Sequence, residues 1–205
     1  MYSTGTGLVL GFHGCDKSVV DKVLNGQQSL RGSNNKYDWL GNGVYFWENS
    51  PSRALEYANH LKENPGKAVN PIKEPAVIGA VLQLGYCLDL LDYQNLKLLK
   101  LGYEILTESY KASEYNLPKN KVVGDLRELL LRELDCAVIE TLHKVRKESK
   151  LQPFDSVRGV FWEGEELYPN AGFREKDHIQ ICIRNPNCVK GYFLPREIDK
   201  SHPKV

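Results

Sequence analysis

The sequence predicts an α+β fold with a split sheet, on three observations. Short apolar stretches of strand length recur from residue 8 to residue 194. Two longer segments, residues 93–109 and 126–145, carry apolar residues at three- and four-residue spacing and read as helices. Helices and strands do not alternate regularly, so a doubly wound parallel sheet is a poor fit.

The elements follow in order. Residues 8–13 read as a short buried strand ending at Gly14. Asp16 is an N-cap for a helix through Val19, Val20 and Val23, which Asn25-Gly26 stops. Residues 27–36 are polar and loop-like, and residues 43–47 form a second strand. Ser50-Pro51 predicts a helix start, a hydroxyl cap followed by proline at the first helical position. That helix runs to Asn64-Pro65-Gly66. Residues 76–84 make a third strand, followed by the Tyr86–Leu90 segment. Residues 111–121 form a polar connector inside the helical middle. Strands over residues 159–162, 178–184 and 189–194 close the chain, with a Glu-, Gly-, Pro- and Asn-containing loop at 163–176. No repeat interrupts this order, and 205 residues fit one domain, with a helical insertion at about 91–150.

Composition narrows the setting. Hydrophobic residues make up 41% and the formal charge is +1. The chain is expected to fold, and it has no whole-molecule field to hold a polyanion. The five cysteines are odd in number and contain no CxxC pair, which predicts reduced thiols in the cytoplasm rather than a disulfide framework or a metal cluster. The N-terminus lacks signal-peptide character, and no apolar run reaches membrane-spanning length.

Two stretches could carry chemistry. In Gly11-Phe12-His13-Gly14, a histidine at a strand end can point its ring into a cleft, and the glycine allows a ligand near the backbone. The plain alternative is a half-buried histidine bonded to a loop. In Gly43-Val44-Tyr45-Phe46, Tyr45 lies opposite the Val44/Phe46 face and offers a flat ring for stacking. The plain alternative is an aromatic packed under a loop. Leu126 to Val145 and the Lys144–Lys147 cluster have simpler readings, a core helix and its solvated basic end. Cys15 beside His13 lacks the further groups a cysteine hydrolase needs.

Together, His13-Gly14, Gly43-Val44-Tyr45-Phe46 and the Ser50–Tyr57 helix start resemble the ADP-ribosyltransferase superfamily, in its poly(ADP-ribose) polymerase-like branch. Residues 81–90 resemble that branch's next block, and residues 159–184 its end block more weakly. Cys15 replaces the usual Ser/Thr after the His-Gly pair. The resemblance implies split antiparallel sheets with inserted helices and an NAD donor, without metal. His13 would bind the ribose on the adenosine side, the Gly14 backbone the nicotinamide carboxamide, and Tyr45 would stack on the nicotinamide ring. Tyr57 would be a second wall, Arg31 would reach the pyrophosphate, and Ser52 would help hold the carboxamide. Exposed loop and simple capping are the plain readings of Arg31 and Ser52.

The family's third residue is a glutamate near the start of a late strand, which supports the cation-like ribose. Here that strand reads Asp177-His178-Ile179-Gln180-Ile181-Cys182-Ile183. Ile179, Ile181 and Ile183 form one face, leaving Gln180 as the third residue on the other. Its amide can bind a hydroxyl but carries no charge. Asp177 has the wrong parity unless a bulge intervenes, and Glu163, Glu165 and Glu175 lie in the preceding loop. A His13-Tyr45-Gln180 set therefore implies transfer of a single ADP-ribose unit with nicotinamide release, or an inactive module of the same fold that binds NAD or ADP-ribose. The acceptor stays open between protein, DNA and RNA. A relative that uses NAD to remove a 2′-phosphate from RNA would need several arginines around the site, for which only Arg31, Arg53, Arg158 and Arg174 are candidates, and this reading is the least favoured of the three.

Overall fold

The computed structural model describes residues 7–67, 70–113, 115–122 and 129–203. Its elements are β1 (Val9–Asp16), α1 (Lys17–Leu24), β2 (Val44–Glu48), α2 (Pro51–Glu63), β3 (Pro75–Leu82), β4 (Cys87–Asp89), α3 (Tyr93–Ser113), β5 (Asn120–Lys121), β6 (Leu131–Arg132), α4 (Glu133–Glu148), β7 (Ser156–Phe161), β8 (His178–Ile183) and β9 (Val189–Phe193). The α+β prediction holds. The main sheet has seven strands in the order β4-β7-β8-β2-β1-β3-β9, with β5 and β6 a separate ribbon. Every pair in the main sheet is antiparallel except β4–β7.

Strand registers assign the two faces. Phe12 lies opposite Trp47, and Trp47 opposite Gln180, so these three share a face. Tyr45 and Cys182 join them two residues along. His13 lies opposite Ile78, and Phe46 opposite Ile181, on the other face. Helix α1 covers the His13 face, where Val20 and Val23 pack with Phe46, Ile78 and Ile181. On the Tyr45 face, Ala54 of α2 packs with Phe12 and Trp47. There Ile139 and Leu142 of α4 pack with Leu40, Val157 and Cys182.

Three local expectations change. The first strand runs on to Asp16, so His13 sits inside a strand rather than at its end. Asp16 caps α1 as expected, accepting from Ser18 N at 3.0 Å, and also accepts Lys73 N and Glu74 N at 2.7 and 3.0 Å. Ser50 makes no side-chain cap, so proline at the helix start is what remains of that signal. The helix expected over residues 126–145 begins at Glu133; residues 126–128 lie outside the described residues. Its start is fixed from afar, where Asn120 Oδ1 accepts Leu134 N at 2.9 Å and Asp135 N at 3.2 Å. A cap supplied across a ribbon leaves no mark in local spacing.

Candidate functional site

The chemistry-bearing strands are neighbours, in the order β8-β2-β1. The seam between β1 and β2 is short: only Gly11↔Glu48 and Phe12↔Trp47 pair. On its other side β1 pairs with β3 over eight residues. Leu10 O accepts Asn49 N at 2.9 Å, which shows that the even residues of β1 turn their main-chain groups toward β2. By that alternation, Gly14 N–H and C=O face the seam beyond its last pair. The matching edge of β2 is taken elsewhere. Gly43 exchanges both bonds with Ser33, at 2.7 and 3.0 Å, so residues 30–33 return beside β2 where β1 would continue. The sheet is parted at this point.

His13 bridges the parting. Its Nδ1 lies 2.8 Å from Tyr45 O, which can only accept, so Nδ1 carries the proton and Nε2 is the free acceptor. Burial holds the imidazole below its ordinary pKa, partly offset by the bond to Tyr45 O. The ring packs edge-on to Phe46, with centroids 5.9 Å apart. A neutral histidine with its acceptor nitrogen unclaimed suits a hydroxyl donor such as a ribose.

Tyr45 does not line the same side of the sheet. Its ring enters the α4 face and packs with Leu40, Leu88 and Ile139. Its hydroxyl donates to Gly41 O at 2.6 Å and accepts Leu40 N at 2.9 Å. Burial drives the phenol pKa well upward. The expected stacking role is corrected on this ground: the ring is a packed brace for the 40–41 turn. The turn is clamped from α4 as well. Glu140 accepts Asn42 N at 2.8 Å and pairs with Arg184, whose guanidinium also donates to Asn42 O at 2.9 Å. Burial opposes the Glu140 charge, yet Arg184 and Asn42 N–H hold its pKa below the usual carboxylate range.

Helix α2 stands directly on the parted strand. A Cβ on Gly14 would lie 2.0 Å from Ala54 O, so only glycine admits the helix. Ser52 turns away, exposed on the outer side of α2 with Leu55 and Asn59, which removes it from the carboxamide. Tyr57 shares the face of Tyr45. It leans from α2 onto Trp47 of β2, with ring centroids 5.0 Å apart, and stays 37% exposed. It therefore stands over the last closed pair of the seam, Phe12↔Trp47, on the α2 side.

A polar cluster flanks Tyr57. Arg53 bonds Glu163 through Nη2 at 2.6 Å and also pairs with Glu56. Of the loop acids, Glu163 is the one that reaches inward; its carboxylate stands 3.8 Å from His178 Nδ1. His178 Nδ1 itself donates to Lys176 O at 2.6 Å, and burial lowers its pKa. Trp47 Nε1, Arg53 Nε and His178 Nε2 are buried with no hydrogen-bond partner. Sequence reasoning gave Trp47 and His178 no role, although parity alone places them beside Tyr45 and Gln180. Gln180 lies on that face opposite Trp47 on one side and Gly159 on the other. Tyr45 and Gln180 thus share a face, and His13 is on the opposite one.

The remaining acids and arginines sort by their partners. Asp177 accepts Arg174 N at 2.9 Å in the turn before β8, and Glu165 and Glu175 are exposed. Arg158 is held by Glu48 at 2.6 Å and Asp89 at 3.1 Å. Arg31 is exposed, beside a groove of about 450 Å3 lined by Leu30, Gly32, Val44, Arg184 and Lys190 among others. By strand parity, Val44 places this groove on the His13 face.

The chain is 24% identical over 211 aligned positions to a protein of Methanocaldococcus jannaschii described only as uncharacterized, covering 92% of this chain and 89% of the relative. No family model matches, and no solved structure matches.

Proposed function

We propose that the protein is an NAD-dependent mono-ADP-ribosyltransferase built on the split-sheet ADP-ribosyltransferase fold. The observation that carries this reading is the parted β1–β2 seam, with His13 at its edge and the Gly14 main chain turned into it. In this reading the adenosine half of NAD lies in the groove on the His13 face, with the ribose hydroxyl donating to His13 Nε2 and Arg31 near the pyrophosphate. The nicotinamide end meets the parting from the same face, its carboxamide on the Gly14 main chain; Tyr45 and Tyr57, on the other face, do not wall it.

The bond that breaks joins nicotinamide nitrogen to the ribose anomeric carbon. Nicotinamide leaves with the bonding pair, an acceptor nucleophile takes the anomeric carbon, and the acceptor's proton is released. Positive charge grows on the ribose as the bond stretches, so a negative group nearby speeds the step. Gln180 can orient a hydroxyl only. Glu163 is the carboxylate held inward, and its ion pair with Arg53 offsets the field it presents to the ribose.

A second reading, an inactive module that binds NAD or ADP-ribose, is favoured by one observation: the candidate third residue on the late strand, Gln180, is an uncharged amide. Calorimetric titration with NAD, run beside a nicotinamide-release assay, separates the two. Binding with release supports transfer, binding without release supports the module, and the absence of both removes the site. Labelled NAD with a cell lysate, followed by protease or nuclease digestion, then identifies the acceptor class.

A further inference from the structure

Helix α2 and the base of the loop between β7 and β8 meet beside one buried histidine. His178 is 8% exposed, and its ring lies among those of Trp39, Phe161 and Trp47, with centroids 6.3, 5.8 and 6.3 Å away. Its Nδ1 donates to Lys176 O at 2.6 Å, which leaves Nε2 as the acceptor nitrogen. Nε2 is buried without a hydrogen-bond partner among the described residues. The two ties between loop and helix flank this ring. Glu163 Oε2 accepts Arg53 Nη2 at 2.6 Å and stands 3.8 Å from His178 Nδ1. Lys176, whose carbonyl holds Nδ1, pairs through its ammonium with Glu56 of α2 at 3.0 Å.

A second proton on this ring has no place to point. It would sit on Nε2, where a buried N–H needs an acceptor and finds none among the described residues. The surrounding charges do not rescue it. Arg53 of α2 repels the cation, and Arg132 of β6 lies over the neighbouring Trp39 and Phe161 rings at 4.3 and 4.9 Å. Glu163 and Asp177 attract it, but Glu163 is already paired with Arg53, and Asp177 accepts Arg174 N at 2.9 Å. Trp47 of β2 and Phe161 of β7 face the ring without charge. Burial outweighs the attractions and keeps the imidazole neutral. A proton is therefore taken up as the ring moves out toward water. Lys176 O is bonded to that ring and Glu163 flanks it, so its departure disturbs both ties to α2.

We propose that His178 is an acid-sensitive latch: protonated at Nε2, it leaves its aromatic slot and frees the base of the loop from α2 while the rest of the sheet stays closed. Helix α2 stands on Gly14 at the parting, so an open latch also loosens the helix over the seam. In carrying that effect to NAD affinity, the inference rests on the transferase reading. The latch itself does not.

The test is hydrogen exchange of the full chain, read by mass spectrometry at pH 7 and pH 5 and corrected for intrinsic rate. Below the ordinary imidazole pKa of about 6.5, each pH unit raises the open fraction by up to about tenfold. Peptides covering residues 51–63 and 163–178 are expected to lose about tenfold in protection, while those of β3 and β9 stay within about twofold. His178→Phe keeps a ring in the slot without a titrating nitrogen and should abolish the difference. His143→Phe, at another buried imidazole whose Nε2 has no partner among the described residues, should retain it. Nitrogen-15 NMR of the wild type at pH 7 needs no variant and should find the His178 proton on Nδ1. Equal exchange at the two pH values, a loss spread evenly over the sheet, the opposite tautomer, or an undiminished response in folded His178→Phe overturns the latch. Calorimetric titration with NAD at the same pH values tests the coupling. Weaker binding at pH 5 in the wild type but not in His178→Phe supports it, and equal binding despite an open latch removes it. A latch that opens while NAD binds at neither pH would sink the transferase reading alone.

Discussion

The two seams of β1 make an instructive contrast. Against β3 the strand pairs without interruption from Val9 to Asp16. Against β2 it pairs at two residues and then parts. The strand is the same, so its own propensity does not decide the difference. What stands at each side decides it. On the β3 side, apolar residues such as Ile78 and Ala80 continue into the buried core. On the β2 side, residues 30–33 take the edge of Gly43, and a histidine side chain replaces main-chain pairing at Tyr45. A strand edge buried without partners is costly, so a parted seam persists where the freed groups meet water or a ligand.

The sharpest way to break this contrast is at Gly14. Gly14→Ala places a methyl against the Ala54 carbonyl and should cost about 3 kcal/mol, measured by urea unfolding. Gly191→Ala, in β9 with open space around it, should change stability by less than about 0.5 kcal/mol. Equal effects at the two positions would mean that α2 does not rest on the parting. His13→Ala should lower nicotinamide release by about 100-fold, near 2.7 kcal/mol of transition-state stabilisation, with the fold retained. A loss within about threefold would remove His13 from the chemistry. Tyr45→Phe leaves Leu40 N and Gly41 O without their hydroxyl and should cost about 1–2 kcal/mol of stability. Its turnover should stay within about threefold; a collapse of turnover in a folded Tyr45→Phe protein would restore the tyrosine to the site.

Acid sharpens the comparison least but tests the burial directly. Burial holds His13, His143 and His178 neutral below their ordinary pKa, His143 down to about 4. The unfolded chain protonates first, so their contribution is complete above pH about 6.5 and is lost as pH falls. Each imidazole adds at most about 1.4 kcal/mol per pH unit to that loss. Thermal midpoints that hold level from pH 7 to 5 would contradict neutral buried rings.

Much of this fold was legible. Asp16 announced its helix because an N-cap is a local device, and the Ile179–Ile181–Ile183 alternation correctly put Gln180 on the opposite face. The start of α4 was not legible, because Asn120 caps it from the far side of a ribbon. The site divides in the same way. His13 and Gly14 stand together beside the parting because both belong to one short stretch of β1, although His13 lies inside that strand and not at its end as expected. Tyr45 was misjudged because parity within β2 says which residues share a face but not which face of the sheet β1 presents beside it. That relation is set by register, and register depends on a partner many residues away.

Glu140 carries a consequence for anyone who would trim or transplant this molecule. A single carboxylate on the inserted helices reaches back 98 residues to the turn that launches β2, and grips the arginine that follows β8. The insertion is therefore a strut rather than an ornament. Excising it to make a minimal version would loosen the two strands that carry the tyrosine and the glutamine, leaving a smaller protein whose central strands have lost their common anchor.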